Sequence, residues 1–217
     1  HGKCVSGQSR IILADGTVKT AREIFEAASK NGEIYEDNGE HTIFTPKEQT
    51  SVFSLDKQTG KLEKKPIKNA WRLNGGKTIK IRLRNGFEIA TTPEHKYIAY
   101  RDGFAEVKAE DLKIGDKIVC AEKLWNNCVS KKFDSIEIII GNQIMLFDKV
   151  LDEISQRELA FVEINKIESG FEDVVYDFTI PENHNFIAEG MVIHNTAFTD
   201  NLLAAAGHMA SKHAGDL

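Results

Sequence analysis

The chain is poor in cysteine, with three residues at positions 4, 120 and 128. An odd count without the spacing of a small secreted scaffold excludes a disulfide framework. Proline is equally scarce, 4 of 217 residues, which excludes a Pro-rich linker or low-complexity class. No apolar run approaches the roughly 20 residues of a membrane span, and the first residues have none of the features of a secretory signal. Long basic runs are missing too, and the net charge of −5 disfavours non-specific binding to nucleic acid. Composition is otherwise that of an ordinary globular chain, 41% hydrophobic and 28% charged, enough for one sizeable domain or one domain with a tail. The expectation is a soluble, cytoplasmic, monomeric protein with reduced thiols, no nucleic-acid or membrane partner, no metal and no cofactor.

Most of the chain has the alternation of β-strands. RIILA and TVKTA flank Asp15-Gly16 as a hairpin, and Asp56 to Gly60 and Asn85-Gly86 are further hairpin signals. Helical spacing is confined to Thr20–Lys30, with Ile24, Phe25 and Ala28 on one face, and to a short turn at Ala109–Lys113. NGEIYEDNGEHT has the composition of a polar connection. The interval from Ala121 to Ser155 is hard to assign; SIEIII with QIMLFD suits a hairpin and VLDEISQREL a short helix. VVYDFTI and NFIA are expected as strands around Pro-Glu-Asn, followed by Glu-Gly and MVI.

Three short stretches carry chemistry. The first is Cys4, which follows a leader, His1-Gly2-Lys3, unlike the start of a domain. The second is Thr91-Thr92-Pro93-Glu94-His95, where Pro93 ends a strand. A turn there brings the Thr92 and His95 side chains into one small volume, suited to activating a peptide bond or simply to capping a turn. The third is His194-Asn195-Thr196, where the strand pattern runs without a linker into the alanine-rich AFTDNLLAAAG. An asparagine amide can attack its own backbone carbonyl, forming a succinimide and cutting the following bond. Neighbouring histidine supplies acid–base help of about 10²–10⁴-fold, and the threonine hydroxyl is a nucleophile once activated. Alone, that tripeptide also suits a polar strand end.

With these three in this order, the sequence resembles an intein, the self-splicing element that shares its fold with Hedgehog autoprocessing domains. CVSGQSRIILADG is similar to the N-terminal intein motif, GFEIATTPEHKYIA to its Thr-x-x-His motif, DLKIGDKIV to the next strand, and VYDFTIPENHNFIAEGMVIHN to the C-terminal motifs. The resemblance covers Cys4 to Asn195. It implies an all-β, horseshoe-shaped Hint fold with a few short helices, bringing both ends into one cleft. It also implies a division into residues 1–3 as N-extein remnant, 4–195 as splicing domain and 196–217 as C-extein remnant, the last part of which, HMASKHAGDL, has the character of an appended tail.

Roles follow from the resemblance. Cys4 attacks the carbonyl of Lys3, giving a thioester; Thr92 holds that bond, and His95 protonates the departing nitrogen. Strain of about 1–3 kcal/mol at the Lys3–Cys4 bond is a second way to drive the step. Thr196 then attacks the thioester, with Asp177 positioning Cys4. Asn195 cyclises with help from His194 and His184, and the ester rearranges to join Lys3 to Thr196. Oriented groups reach effective molarities of about 10⁵–10⁸ M, so no cofactor is required. The only partners are the flanking exteins.

Joining Lys3 to Thr196 creates HGKTAFTDNLLAAAG, the end of a phosphate-binding loop followed by a helix. It looks like the GTPase domain of a translation elongation factor, with Lys3 and Thr196 as its phosphate lysine and Mg²⁺ hydroxyl after splicing. Residues 120–158, a linker region, stand where many inteins carry a homing endonuclease; they hold no paired-acid motif, as in a minimal intein. Cys120 and Cys128 are either a metal or redox pair or packed thiols, and a disulfide from either to Cys4 would block splicing. Three rivals differ in outcome. A Hedgehog-like domain would cleave at Cys4 without ligation and has no use for Asn195. An inert β-domain would leave the chain intact, and a cysteine hydrolase would spare its own ends.

Overall fold

The computed structural model describes residues 3–130, 159–171 and 173–195. The strands are β1 (Val5–Ser6), β2 (Arg10–Ile12), β3 (Val18–Thr20), β4 (Glu33–Asp37), β5 (His41–Thr45), β6 (Ser51–Asp56), β7 (Lys61–Pro66), β8 (Asn69–Gly76) and β9 (Ile79–Leu83). They continue as β10 (Glu88–Thr91), β11 (Lys96–Tyr100), β12 (Phe104–Lys108), β13 (Lys117–Cys120), β14 (Ala160–Ser169), β15 (Asp173–Thr179), β16 (Asn185–Ala188) and β17 (Met191–His194). Helices are few: α1 (Ala21–Asn31), α2 (Glu122–Val129) and a 3₁₀ turn at Ala109–Asp111. The all-β expectation holds. The expected SIEIII–QIMLFD hairpin and VLDEISQREL helix lie outside the described residues.

One long sheet follows the order β3-β2-β16-β17-β11-β13-β14-β9-β10-β1-β15-β8-β5-β4, with β12 on β11; β6 and β7 pair separately. Strand β1 is only two residues long, yet it sits between β10 and β15. Strand β17 pairs with β16, β11 and β13. The start of the chain is therefore stitched to its middle and its end.

Local chemistry explains the elements. Helix α1 opens on a capping box, in which Thr20 accepts from the Glu23 N–H while the Glu23 carboxylate accepts from the Thr20 N–H. Its buried face is Ala21, Ile24, Phe25 and Ala28, and Phe25 meets Tyr176 and Phe44 at 5.6 Å between ring centres. The expected hairpin turns are present at Asp56–Gly60 and Asn85-Gly86, closed by the Gly60 N–H to Asp56 and the Gly86 N–H to Leu83. One sequence expectation changes, and one pairing is settled that the sequence left open. NGEIYEDNGEHT forms the β4–β5 hairpin, whose outer strand is largely exposed and so has no apolar alternation. VVYDFTI does not pair with NFIA: β15 goes to β1 and β8, and NFIA pairs instead with MVI across Glu189-Gly190.

Candidate active site

Strand register builds the first half of the site. Val5 faces Thr91 on one side and Tyr176 on the other. One step back along β1 and one forward along each antiparallel partner puts Cys4 between Thr92 and Asp177. The bonds bear this out. The Cys4 N–H donates to Thr92 Oγ1 at 3.0 Å, and the Thr92 N–H donates to the Cys4 carbonyl at 2.9 Å. Thr92 thus grips both backbone polar groups of Cys4, and Cys4, Thr92 and Asp177 are all buried.

The turn from Thr92 to His95 is pinned from three directions. The His95 N–H donates to the Thr92 carbonyl at 3.0 Å, the Ala109 N–H to the His95 carbonyl at 2.8 Å, and the Glu110 N–H to the Pro93 carbonyl at 3.0 Å. The His95 ring is fully buried and lies edge-on to Tyr97, 5.9 Å between centres. The Tyr97 hydroxyl in turn bonds Thr91 Oγ1 at 2.9 Å. No hydrogen bond of ordinary geometry reaches either ring nitrogen among the described residues.

The second half comes from β17. Tyr97 faces Ile193, and two further antiparallel steps set His95 opposite Asn195. Asn195 is fully buried, and its N–H donates to the His184 carbonyl at 2.9 Å. The His184 and His194 rings stack with centres 6.4 Å apart, inclined by 27°. His184 is in the left-handed region at φ 52, a conformation that histidine tolerates better than most residues. Its neighbour holds it there: the Asn185 amide donates to the Leu55 and Asn183 carbonyls, and its oxygen accepts from the Leu55 N–H at 2.6 Å. Left-handed backbone among the described non-glycine residues occurs at Asp102, Glu182, His184 and Glu189. Cys4 is not one of them, so no such strain supports the expectation placed on the Lys3–Cys4 bond.

Electrostatics follow from burial. Desolvation, then the Asp177 carboxylate, push the Cys4 thiol well above its ordinary value. Cys4 therefore rests as a neutral thiol. Burial, with His194 adding to it, lowers His95 to about 3; the adjacent Lys3 carbonyl opposes that shift and the Lys3 ammonium adds to it. His95 is therefore neutral at pH 7 and able to accept a proton. Burial likewise lowers His194 to about 4, against the pull of Glu106. Cys120 and Cys128 are packed thiols in the core, both raised by burial, Cys128 to about 12. Among the described residues no group of three His, Cys, Asp or Glu side chains is arranged to hold a metal, and no helix is long and apolar enough to cross a membrane.

Cys4, Thr92, His95, Asp177, His184, His194 and Asn195 are thus brought together by the sheet, while Thr196 lies outside the described residues. Sequence reasoning missed Glu106, Lys57 and Lys96. Glu106 stands 3.3 Å from His194 Nε2 and accepts from Lys57 at 2.7 Å and Lys96 at 3.1 Å. Nothing local marks it; only the pairing of β12 with β11 brings it near β17.

Cys4 is thus bonded to Thr92 at one end of the Thr92–His95 turn, and the buried Asn195 lies in the row of His95 at the other, so one turn joins the two halves of the site. A family model described as the intein splicing domain matches residues 11–195. The chain belongs to that family, and it carries out autocatalytic protein splicing. Among solved structures it is similar to the PabCDC21-1 intein, with 25% identity and a TM-score of 0.67 over 90% of this chain and 100% of that one. The transcription factor IIB Mvu mini-intein shares the fold, at 21% identity and a TM-score of 0.67 over 89% of this chain and 100% of that one. Elongation factor 2 of Methanopyrus kandleri is 35% identical over 134 residues, 61% of this chain and 11% of that protein. The chain spans only that small fraction of the relative's length. Residues 120–158 leave no room for a region of homing-endonuclease size.

Proposed function

We propose that residues 4–195 excise themselves and join Lys3 to Thr196, the flanking residues 1–3 and 196–217 being extein remnants of a translation elongation factor. His95, neutral at rest, takes the Cys4 thiol proton as sulfur attacks the Lys3 carbonyl, then returns it to the departing Cys4 nitrogen. Thr92 holds that nitrogen and the Cys4 carbonyl throughout. The Thr196 hydroxyl displaces the thioester, and Asp177 accepts the hydroxyl proton while the thiolate leaves. Asn195 then cyclises with His194 and His184 beside it, cutting its bond to Thr196. An O-to-N shift completes the new peptide bond. Mutual positioning does the work of a catalyst, since oriented groups behave as if at about 10⁵–10⁸ M.

The observation that carries this is the strand register setting Cys4 between Thr92 and Asp177, with His95 reaching from beside Lys3 to the row of Asn195. Mass spectrometry of the incubated chain tests it. Expected are an excised segment from Cys4 to a C-terminal succinimide or Asn195, and a ligated product beginning His-Gly-Lys-Thr. Cleavage at Cys4 without ligation would favour a Hedgehog-like reaction instead. Full-length chain alone, even after heating, would defeat both.

A further inference from the structure

Glu106 has three partners of positive or potentially positive charge, drawn from three separate elements. Lys57 comes from the β6–β7 turn, Lys96 from the first position of β11, and His194 from the end of β17. The sheet explains the meeting. Ile98 faces Glu106 across β11–β12, which leaves Lys96 diagonal to the carboxylate on the same face. Across β11 on its other side, the Tyr97–Ile193 pairing extends to set Lys96 beside His194. The carboxylate oxygens are divided accordingly: Oε1 faces Lys57 and His194 Nε2, and Oε2 faces Lys96. The other nitrogen of His194, Nδ1, is buried and has no hydrogen-bonding partner among the described residues. A carboxylate beside one imidazole nitrogen favours the proton there and leaves the other nitrogen as acceptor.

We infer that Glu106, set between Lys57 and Lys96, is a positioning residue that keeps the His194 proton on Nε2 and so presents Nδ1 as the base for Asn195 cyclisation. This rests on the assignment of His194 to that step. As the Asn195 side-chain nitrogen bonds to its own main-chain carbonyl carbon, it gives one proton to Nδ1. The bond from that carbon to the Thr196 nitrogen breaks, and the same proton passes to the Thr196 amine. Nothing is oxidised, and no further reactant is needed. Facing His194 are the Glu106 carboxylate, which raises its proton affinity, and the Lys3, Lys96 and Lys57 ammoniums, which lower it; the His184 ring stacks on it and His95 lies within electrostatic reach. Glu106 itself is held well below the usual carboxylate range, to about 2; burial opposes that shift, and the Lys57 bond, His194 and Lys96 outweigh it. It stays ionised wherever the reaction runs.

The test uses the full chain with Cys4→Ala, in which Asn195 cyclisation is the only step left, and follows release of the 196–217 segment by mass spectrometry from pH 3 to 8. Glu106→Gln should slow cyclisation about tenfold or more, a part of the roughly 10²–10⁴-fold that positioned acid–base catalysis is worth, and move the acid limb of the profile to lower pH. Lys57→Met removes a cation instead of the anion and should move the same limb to higher pH. Opposite displacements are what a packing defect cannot produce, and Lys57→Met keeps the idea testable should Glu106→Gln fail to fold. Cyclisation of Glu106→Gln at the parent rate, or limbs that both stay in place, overturns the proposal. A His194→Ala chain that cyclises at the parent rate removes the underlying assignment itself.

Discussion

The buried His95 should make the fold acid-labile in a way that one substitution abolishes. Its ring is wholly enclosed and its proton affinity falls from 6.5 to about 3. The sign is fixed by linkage. The unfolded chain takes the proton below pH 6.5 and the folded chain resists until about 3, so stability is intact above 6.5 and lost as the pH falls. At pH 4 the unfolded ring is about 2.5 units below its midpoint, and at about 1.36 kcal/mol per unit the loss is about 3 kcal/mol. That is a substantial part of the roughly 5–15 kcal/mol stabilising an ordinary domain. His95→Gln, in a chain made unreactive by Cys4→Ala and Asn195→Ala, removes the titrating ring. Urea unfolding at pH 7, 5.5 and 4 should then show parent and variant converging by about 3 kcal/mol as the pH falls. Contributions from groups remote from the ring are common to both chains and cancel, while the His194 charge that helps to lower His95 is part of the parent's own loss. Parallel pH profiles would refute the argument, because they would mean the ring is already wet or already paired. The same neutrality matters for the chemistry: an imidazole that is unprotonated at pH 7 can take the Cys4 proton, whereas an imidazolium cannot.

Other expectations follow from single contacts. Thr92→Val removes the acceptor of the Cys4 N–H and should slow thiol-induced cleavage after Lys3 about two- to tenfold, the worth of one hydrogen bond of about 0.5–1.5 kcal/mol; an unchanged rate would make Thr92 a spacer. Asp177→Asn removes a charge that raises the Cys4 thiol, so alkylation of Cys4 at pH 8 should speed up while ligation to Thr196 falls. Slower alkylation would reverse the electrostatic assignment. Asn185→Ala strands the buried Leu55 N–H and C=O, which at about 1–3 kcal/mol each should lower the unfolding midpoint strongly and slow C-terminal cleavage, because His184 loses its anchor. Retained cleavage with lost stability would separate the two roles.

Much of this was legible because the reacting groups come with local signatures. Cys4 follows a leader, Thr92 and His95 share one turn, and His194 and Asn195 close the last strand, so short motifs mark all five. Asp177 and His184 depended on resemblance, since an aspartate within a strand and a histidine in a polar turn announce no chemistry of their own. Glu106 escaped entirely. In FAEVK it is the ordinary outward charge of an edge strand, and its meaning arises only from its diagonal relation to Lys96 and, beyond, to His194. The same limit applied to larger features. The β4 strand carries exposed Ile34 and Tyr35 among acids, so it lacks the apolar face by which a strand is recognised. Helix α2 buries Leu124, Trp125 and Cys128 but runs for only two turns, too short for its period to stand out. The partner of VVYDFTI is not legible locally, because the strand is claimed by β1 from the far end of the chain.

That long-range pairing also bears on the proposed reaction. Cys4 gains its hydrogen-bonding partner from a residue 88 positions away, and its other neighbour from β15, near the opposite end of the sequence. A two-residue strand cannot hold itself in place; β1 depends on β10 and β15, the strands on either side of it. Pairings of such separation are slow because loop-closure entropy is met before the contacts repay it. The surroundings of Cys4 therefore exist only where β1 has joined both β10 and β15. An unfolded or partly folded chain has the same cysteine, asparagine and histidines but none of the register that joins them. The proposed reaction accordingly depends on long-range register, the Cys4–Thr92 bonds and the β1–β15 pairing, and not on the reacting side chains alone.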